Sequence, residues 1–150
     1  MEFVSDNPVI EEGHVERWVI APVPERKNRV IEQIIEYLSQ NQTMTPSLLF
    51  RYRLCLDEAL TNAITHGCPD GEQLDVEVDF HWSPESWAVR IVDQGPGFDA
   101  EDLPDPDAPG AELSEHGRGV LILQRFTDSL TYAQGGREVV LRMRSQEDVD

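Results

Sequence analysis

In the stretch Asp57-Glu58-Ala59-Leu60-Thr61-Asn62-Ala63-Ile64-Thr65-His66-Gly67, the polar residues Glu58, Asn62 and His66 recur every four positions. Apolar Leu56, Ala59, Leu60, Ala63 and Ile64 lie between them. Residues four apart on an α-helix stand one above another. A carboxylate, an amide and an imidazole therefore form a column while the opposite side packs. A carboxylate that can take a proton, stacked beside an oxygen ligand suited to Mg²⁺, is what phosphoryl transfer or nucleotide hydrolysis needs. Taken alone, the segment reads better as an ordinary amphipathic helix with a solvated face.

Two later motifs change that weighing. Asp93-Gln94-Gly95-Pro96-Gly97-Phe98 directly follows a strand pattern. Its glycines permit tight backbone and close approach of a ligand, and a carboxylate at a strand end can accept from an exocyclic amine such as that of adenine. In isolation it would be a turn leaving a strand. His116-Gly117-Arg118-Gly119-Val120 precedes the apolar run Val120, Leu121, Ile122, Leu123 and Phe126. Glycines at a helix start expose N–H groups, and the helix dipole adds partial positive charge, which together favour an anion. Arg118 could add a charge-assisted contact to a phosphate. In isolation this is a flexible helix entry.

The elements that must carry these residues follow from periodicity. Strands are expected at His14–Ile20, Leu74–Phe80, Trp87–Val92, Ser129–Ala133 and Glu138–Met143. Helices are expected from Pro24 with the stripe Val30, Ile31, Ile34, Ile35 and Leu38, from Thr45-Pro46 to His66 closed by Gly67, and from about Gly119 to Thr127. Residues 99–116, rich in proline and carboxylates, exclude a regular element and read as a lid; the tail 145–150 reads as frayed. Tight turns pair neighbouring strands antiparallel, so the fold class is α+β: a two-layer sandwich, a mostly antiparallel sheet covered on one face by helices. The other face must be polar or covered, and Trp82 and Trp87 make it a candidate homodimer surface.

The length fits one domain over 1–150. Charge is the unusual bulk property: 29 acidic against 12 basic residues leave −17. Such a surface repels nucleic acid and anionic membranes. It repels a bare triphosphate too, so a phosphate site here needs backbone N–H groups and a divalent cation. No apolar run approaches a membrane span, and the start MEFVSDNPVI lacks a basic region followed by an apolar stretch, so a cytoplasmic protein is expected. Cys55 and Cys68 have no metal-ligand spacing; Cys55 is expected to pack in its helix and Cys68 to lie in a turn.

In order, the three motifs EALTNAITHG, VDQGPGF and GRGVLILQRFTDSL, followed by Gly135-Gly136 and a last strand, resemble the GHKL ATP-binding superfamily. Within it the resemblance is to the bacterial anti-sigma-factor serine/threonine kinases, the RsbW-like branch, and covers about Val15 to Met143. It implies the Bergerat fold with ATP and Mg²⁺ bound between helices and lid. It implies Glu58 as the base that polarises the attacking hydroxyl and Asn62 as the Mg²⁺ ligand. Asp93 becomes the adenine reader with Gly95 and Gly97 giving room, and Gly117 and Gly119 the phosphate-binding glycines. His66 falls to a supporting place at the helix end.

Relatives place a threonine after the glycine pair, supporting the adenine-binding aspartate; here Arg137 and Glu138 stand instead, with Thr127 and Thr131 as alternatives. The implied function is an ATP-dependent kinase acting as an anti-sigma factor, with a STAS-type antagonist and a sigma factor as partners and dimerisation through the sheet. The alternative is a non-catalytic module that senses ATP and ADP. A histidine-kinase catalytic half fits less well, for no phospho-accepting helical pattern accompanies His14, His66, His81 or His116.

Overall fold

The structure, a computed structural model, describes residues 2–4, 13–67, 73–97 and 115–145. In chain order these form β1 (Glu2–Phe3), β2 (His14–Ile20), α1 (Pro24–Asn41), α2 (Pro46–His66), β3 (Val76–Trp82) and β4 (Ser86–Val92), then α3 (Glu115–Phe126), β5 (Ser129–Ala133) and β6 (Glu138–Arg144). The strands make one sheet in the order β1-β5-β6-β4-β3-β2. Every neighbouring pair is antiparallel except β1 with β5. This is the α+β arrangement expected, with one strand more. β1 is only two residues long, too short to carry a periodic signal, and is continued by a hydrogen bond from the Val4 N–H to the Tyr132 carbonyl at 2.8 Å.

The helices form where the sequence supplies starts and stripes. Pro24 opens α1, where a missing N–H costs nothing. Val30, Ile31, Ile34, Ile35 and Leu38 then bury one face. Thr45 caps α2 by accepting the Leu48 N–H at 3.1 Å, a contact worth about 1 kcal/mol. The buried stripe of α2 runs through Leu48, Tyr52, Cys55, Leu56, Ala59, Leu60 and Ala63. Burial pushes the Cys55 thiol up to about 12, which leaves it unreactive. Cys68 lies outside the described residues.

Cross-strand register decides which side chains meet the helices. Phe80 pairs with Val89, and Val89 with Leu141; Trp82 pairs with Trp87, and Trp87 with Met143. With a period of two, this whole row points to the helix side. Trp87 is fully buried, edge-on to Tyr52 at 5.0 Å between ring centroids, and Trp82 donates through Nε1 to Gln42 Oε1 at 2.9 Å. Trp87 is therefore a core residue and Trp82 packs against that core, so neither lies on the opposite face read as a dimer surface. The opposite face carries an ion network among apolar residues such as Ala88 and Val140. Arg90 donates to Asp79 at 3.1 Å and to Glu138 at 2.7 Å, and His14 meets Asp79 at 3.2 Å.

Several boundaries differ from expectation, by a single residue at the start of β4 and the end of β6 and by more elsewhere. β3 begins at Val76 and runs on to Trp82, ending in a Ser83–Ser86 hairpin. α3 starts at Glu115 where the glycines had suggested Gly119. The tail does not fray at Ser145, which is buried, with its N–H on the Glu85 carbonyl at 2.9 Å and its Oγ on the Ser83 carbonyl at 2.7 Å. Residues 146–150, and all of the segment read as a lid except Glu115 and His116, lie outside the described residues.

Candidate functional site

Glu58 and Asn62 fall beside the buried stripe of α2, and both are half-buried where α3 crosses that helix. The crossing is close because α3 presents a glycine. A Cβ on Gly119 would stand 2.8 Å from Glu58 Oε2 and 3.3 Å from Asn62 Oδ1. One cavity between the two helices is lined by Glu58, Asn62, His66, Arg118 and Gly119 among others. Gly117 lies in the first turn of α3, where amides lack an intrahelical partner and suit an anion. Gly119 lies two residues further in, and its evident part is to leave space. Glycine is a poor helix former, which is why the sequence pattern began the helix too late; packing against α2 holds Gly119 helical.

A second cavity adjoins the first through Asn62 and His66 and contains Asp93. Its other walls are mainly apolar: Ala59 and Ala63 from α2, Ile91 from β4, Leu123 from α3, Tyr132 from β5 and Val139 from β6. A mainly apolar cavity with one carboxylate among the described residues is suited to an aromatic base. These wall residues were read from the sequence only as members of helices and strands. What assigns them to a slot is the sheet register, which the sequence does not display.

The loop after β4 is wedged between α2 and the turn before β6, and glycines make the wedge fit. A Cβ on Gly67 would lie 2.5 Å from Asp93 Cβ, and one on Gly95 would lie 2.7 Å from Gly67 Cα. Gly97, at φ +73°, passes so near the Gly135 carbonyl that a Cβ would be 2.0 Å from its oxygen. Gly67 caps α2 with φ −83°, so it is required for space and not for a left-handed turn.

Asp93 itself is held at both ends. Its N–H donates to the Arg137 carbonyl at 2.9 Å, and its Oδ1 accepts the Gly95 N–H at 2.9 Å. Burial pushes its carboxyl up to about 6, against the lowering effects of the Gly95 N–H and of Arg137. Neither threonine proposed as a substitute lies on this cavity. Thr127 donates to the Leu123 carbonyl at the end of α3, and Thr131 alternates with Tyr132 onto the other sheet face. Arg137 is the residue that lines the wall beside Asp93.

The donor set would suit Mg²⁺ held in part by its own waters. No group of three or more His, Cys, Asp or Glu among the described residues could hold a metal. A single amide oxygen at Asn62 suits an ion that keeps its waters and takes most ligands from a phosphate chain.

Residues 21–145 match the histidine kinase-like ATPase domain family. The chain is similar to the serine-protein kinase RsbW of Oceanobacillus iheyensis, at 24% identity over 106 residues, covering 65% of this chain and 67% of that protein. It is also similar to the serine/threonine-protein kinase BtrW of Bordetella bronchiseptica, at 22% identity over 100 residues, covering 65% of this chain and 70% of that one. Among the described residues no helix is long and apolar enough to cross a membrane. A sheet layered with three helices, a largely apolar cavity that contains Asp93 and a family match over most of the sequence lead to one conclusion: the chain belongs to the histidine kinase-like ATPase domain family.

Proposed function

We propose that this protein is an ATP-dependent serine/threonine protein kinase and anti-sigma regulatory factor, built as one domain. On this reading it phosphorylates an antagonist of the STAS type and sequesters a sigma factor. The observation that carries it is the continuity of the two cavities: Asn62 borders both the slot of Asp93 and the cleft of Glu58, Arg118 and Gly119. A nucleotide base accepted by Asp93 would lay its phosphates toward the start of α3.

In that pose Asp93 accepts from the adenine amine, and Gly95 and Gly97 leave the base room. The first amides of α3, at Gly117, and the Arg118 guanidinium meet phosphate oxygens. Asn62 offers its oxygen to Mg²⁺, which when bound offsets phosphate charge during transfer. Glu58, four residues before Asn62, orients the incoming hydroxyl and takes its proton. His66 supports the end of α2. The net charge of −17 favours a partner with a basic surface.

Radiolabel transfer from ATP to a cognate antagonist tests the proposal, with Glu58→Ala beside the wild type. Transfer is expected to fall at least ~100-fold with the base removed; equal labelling by both proteins would sink the assignment. One observation favours a second reading, a nucleotide-sensing module without transfer: Arg137 stands where the resemblance implied a threonine. Calorimetric ATP binding with no partner phosphorylated would select that reading, and stoichiometric labelling of a partner serine would exclude it.

A further inference from the structure

Arg137 stands at the rim of the slot that holds Asp93, and two contacts fix it there. Its carbonyl accepts the Asp93 N–H at 2.9 Å, and its Nε donates to the Gln134 carbonyl at 3.2 Å. The turn so closed, Gln134 to Gly136, has φ of 51°, 66° and 89°, a path that leaves its two glycines little choice of substitute. A side chain on Gly97 would meet the Arg137 Cγ at 3.5 Å, so the stem of the arginine runs beside the loop that carries Asp93. A permanently charged guanidinium thus stands on a tethered stem at the rim of the slot that holds the half-buried Asp93 carboxylate.

We propose that Arg137 is a positioning residue for nucleotide binding: its tethered charge holds the Asp93 carboxylate in the acceptor form that reads a base amine. The inference rests on the reading of Asp93 as the base-recognition group. A protonated carboxyl would present an O–H where the amine also presents N–H, and the pair would no longer match. Burial favours that protonated form; Arg137 and the Gly95 N–H oppose it. The other ionisable side chains on the slot are His66 from α2 and Tyr132 from β5, while β4 and α3 contribute apolar Ile91 and Leu123. His66 is therefore the group to control for.

Calorimetry of ATP·Mg²⁺ binding across acid to mildly alkaline pH separates the cases, for wild type, R137Q and R137K, each also in an H66Q background. Wild-type affinity is expected to fall below about pH 6, following the Asp93 carboxyl. In R137Q the midpoint should rise by about half a pH unit, as befits a screened cation. Binding would then be about twofold weaker at pH 6 and match wild type well above it. R137K should restore the wild-type profile, with or without His66. An R137Q profile superimposed on wild type overturns the proposal, and so does a loss equal at every pH that lysine fails to rescue. A wild type that binds no ATP at any pH overturns the base-site reading and this inference with it.

Discussion

Gly119 of α3 faces Glu58 of α2 so closely that a side chain there would have to displace the carboxylate, since a Cβ would stand 2.8 Å from its Oε2. The atom it would strike is the end of a flexible side chain, so the helices need not part. Gly119→Ala is expected to keep or slightly raise thermal stability, because alanine is favoured over glycine inside a helix by about 0.5–1 kcal/mol. Phosphoryl transfer should fall at least ~10-fold as Glu58 is pushed off line. A melting curve and a transfer assay on one preparation check both halves, and undiminished transfer would show that the position of Glu58 is unimportant.

The Asp93 carboxyl, raised by burial from 3.8 to about 6, links nucleotide binding and stability to pH in opposite senses. Its contribution to stability is fully present below the unfolded value and is lost as pH rises through about 6, where the buried group must ionise. Affinity for an amine donor runs the other way and improves over that window. Asp93→Asn should flatten this part of the stability profile and weaken ATP binding by about 10- to 100-fold, the worth of a charged hydrogen bond. Urea unfolding on either side of the window, read as a difference between wild type and variant, gives the first result; calorimetry gives the second.

Gly67→Ala places a Cβ 2.2 Å from the Ala63 carbonyl oxygen and 2.5 Å from Asp93 Cβ, and neither atom can swing aside. A stability loss of about 1–3 kcal/mol is expected from this overpacking, together with weaker ATP binding because Asp93 is displaced. Gly135→Ala makes the matched comparison. Nothing lies within 4 Å of its Cβ, though its φ of +66° strains an alanine. It should lose about 1–2 kcal/mol and leave Asp93 where it is. If both variants bind ATP like wild type, the fit at Gly67 has no bearing on the site.

Arg90 joins Asp79 and Glu138 on the sheet face opposite the helices, and Glu138 is wholly buried with its Oε2 unpaired. Arg90→Met should destabilise by about 3–5 kcal/mol, the usual result of stranding a buried carboxylate. Adding Glu138→Gln should return much of that loss. Denaturant unfolding of the single and double variants measures the coupling. Simple additivity would mean that Arg90 does not compensate Glu138.

Most of what bears on chemistry was legible along the chain because it depends on local periods. Glu58, Asn62 and His66 share a helix face by spacing alone, and Thr45-Pro46 marks where that helix begins. Asp93 follows directly from an alternating strand. The misreadings arose where packing overrode local preference. Gly117 and Gly119 looked like a helix start yet are held inside α3, and Trp82 and Trp87 looked like an exposed pair until register turned them to the helices.

By itself, then, the sequence determined the order of elements, the column on α2 and the three motifs, since helix and strand periods are properties of neighbours in the chain. Only the tertiary structure decided that Gly67, Gly95 and Gly97 wedge one loop in place. It alone brought Tyr132, Leu123 and Val139 around Asp93 and set Arg137 at the rim of the slot. Those relations join residues dozens of positions apart, and what fixes them is strand register together with the volume a glycine leaves free, neither of which is written in local pattern.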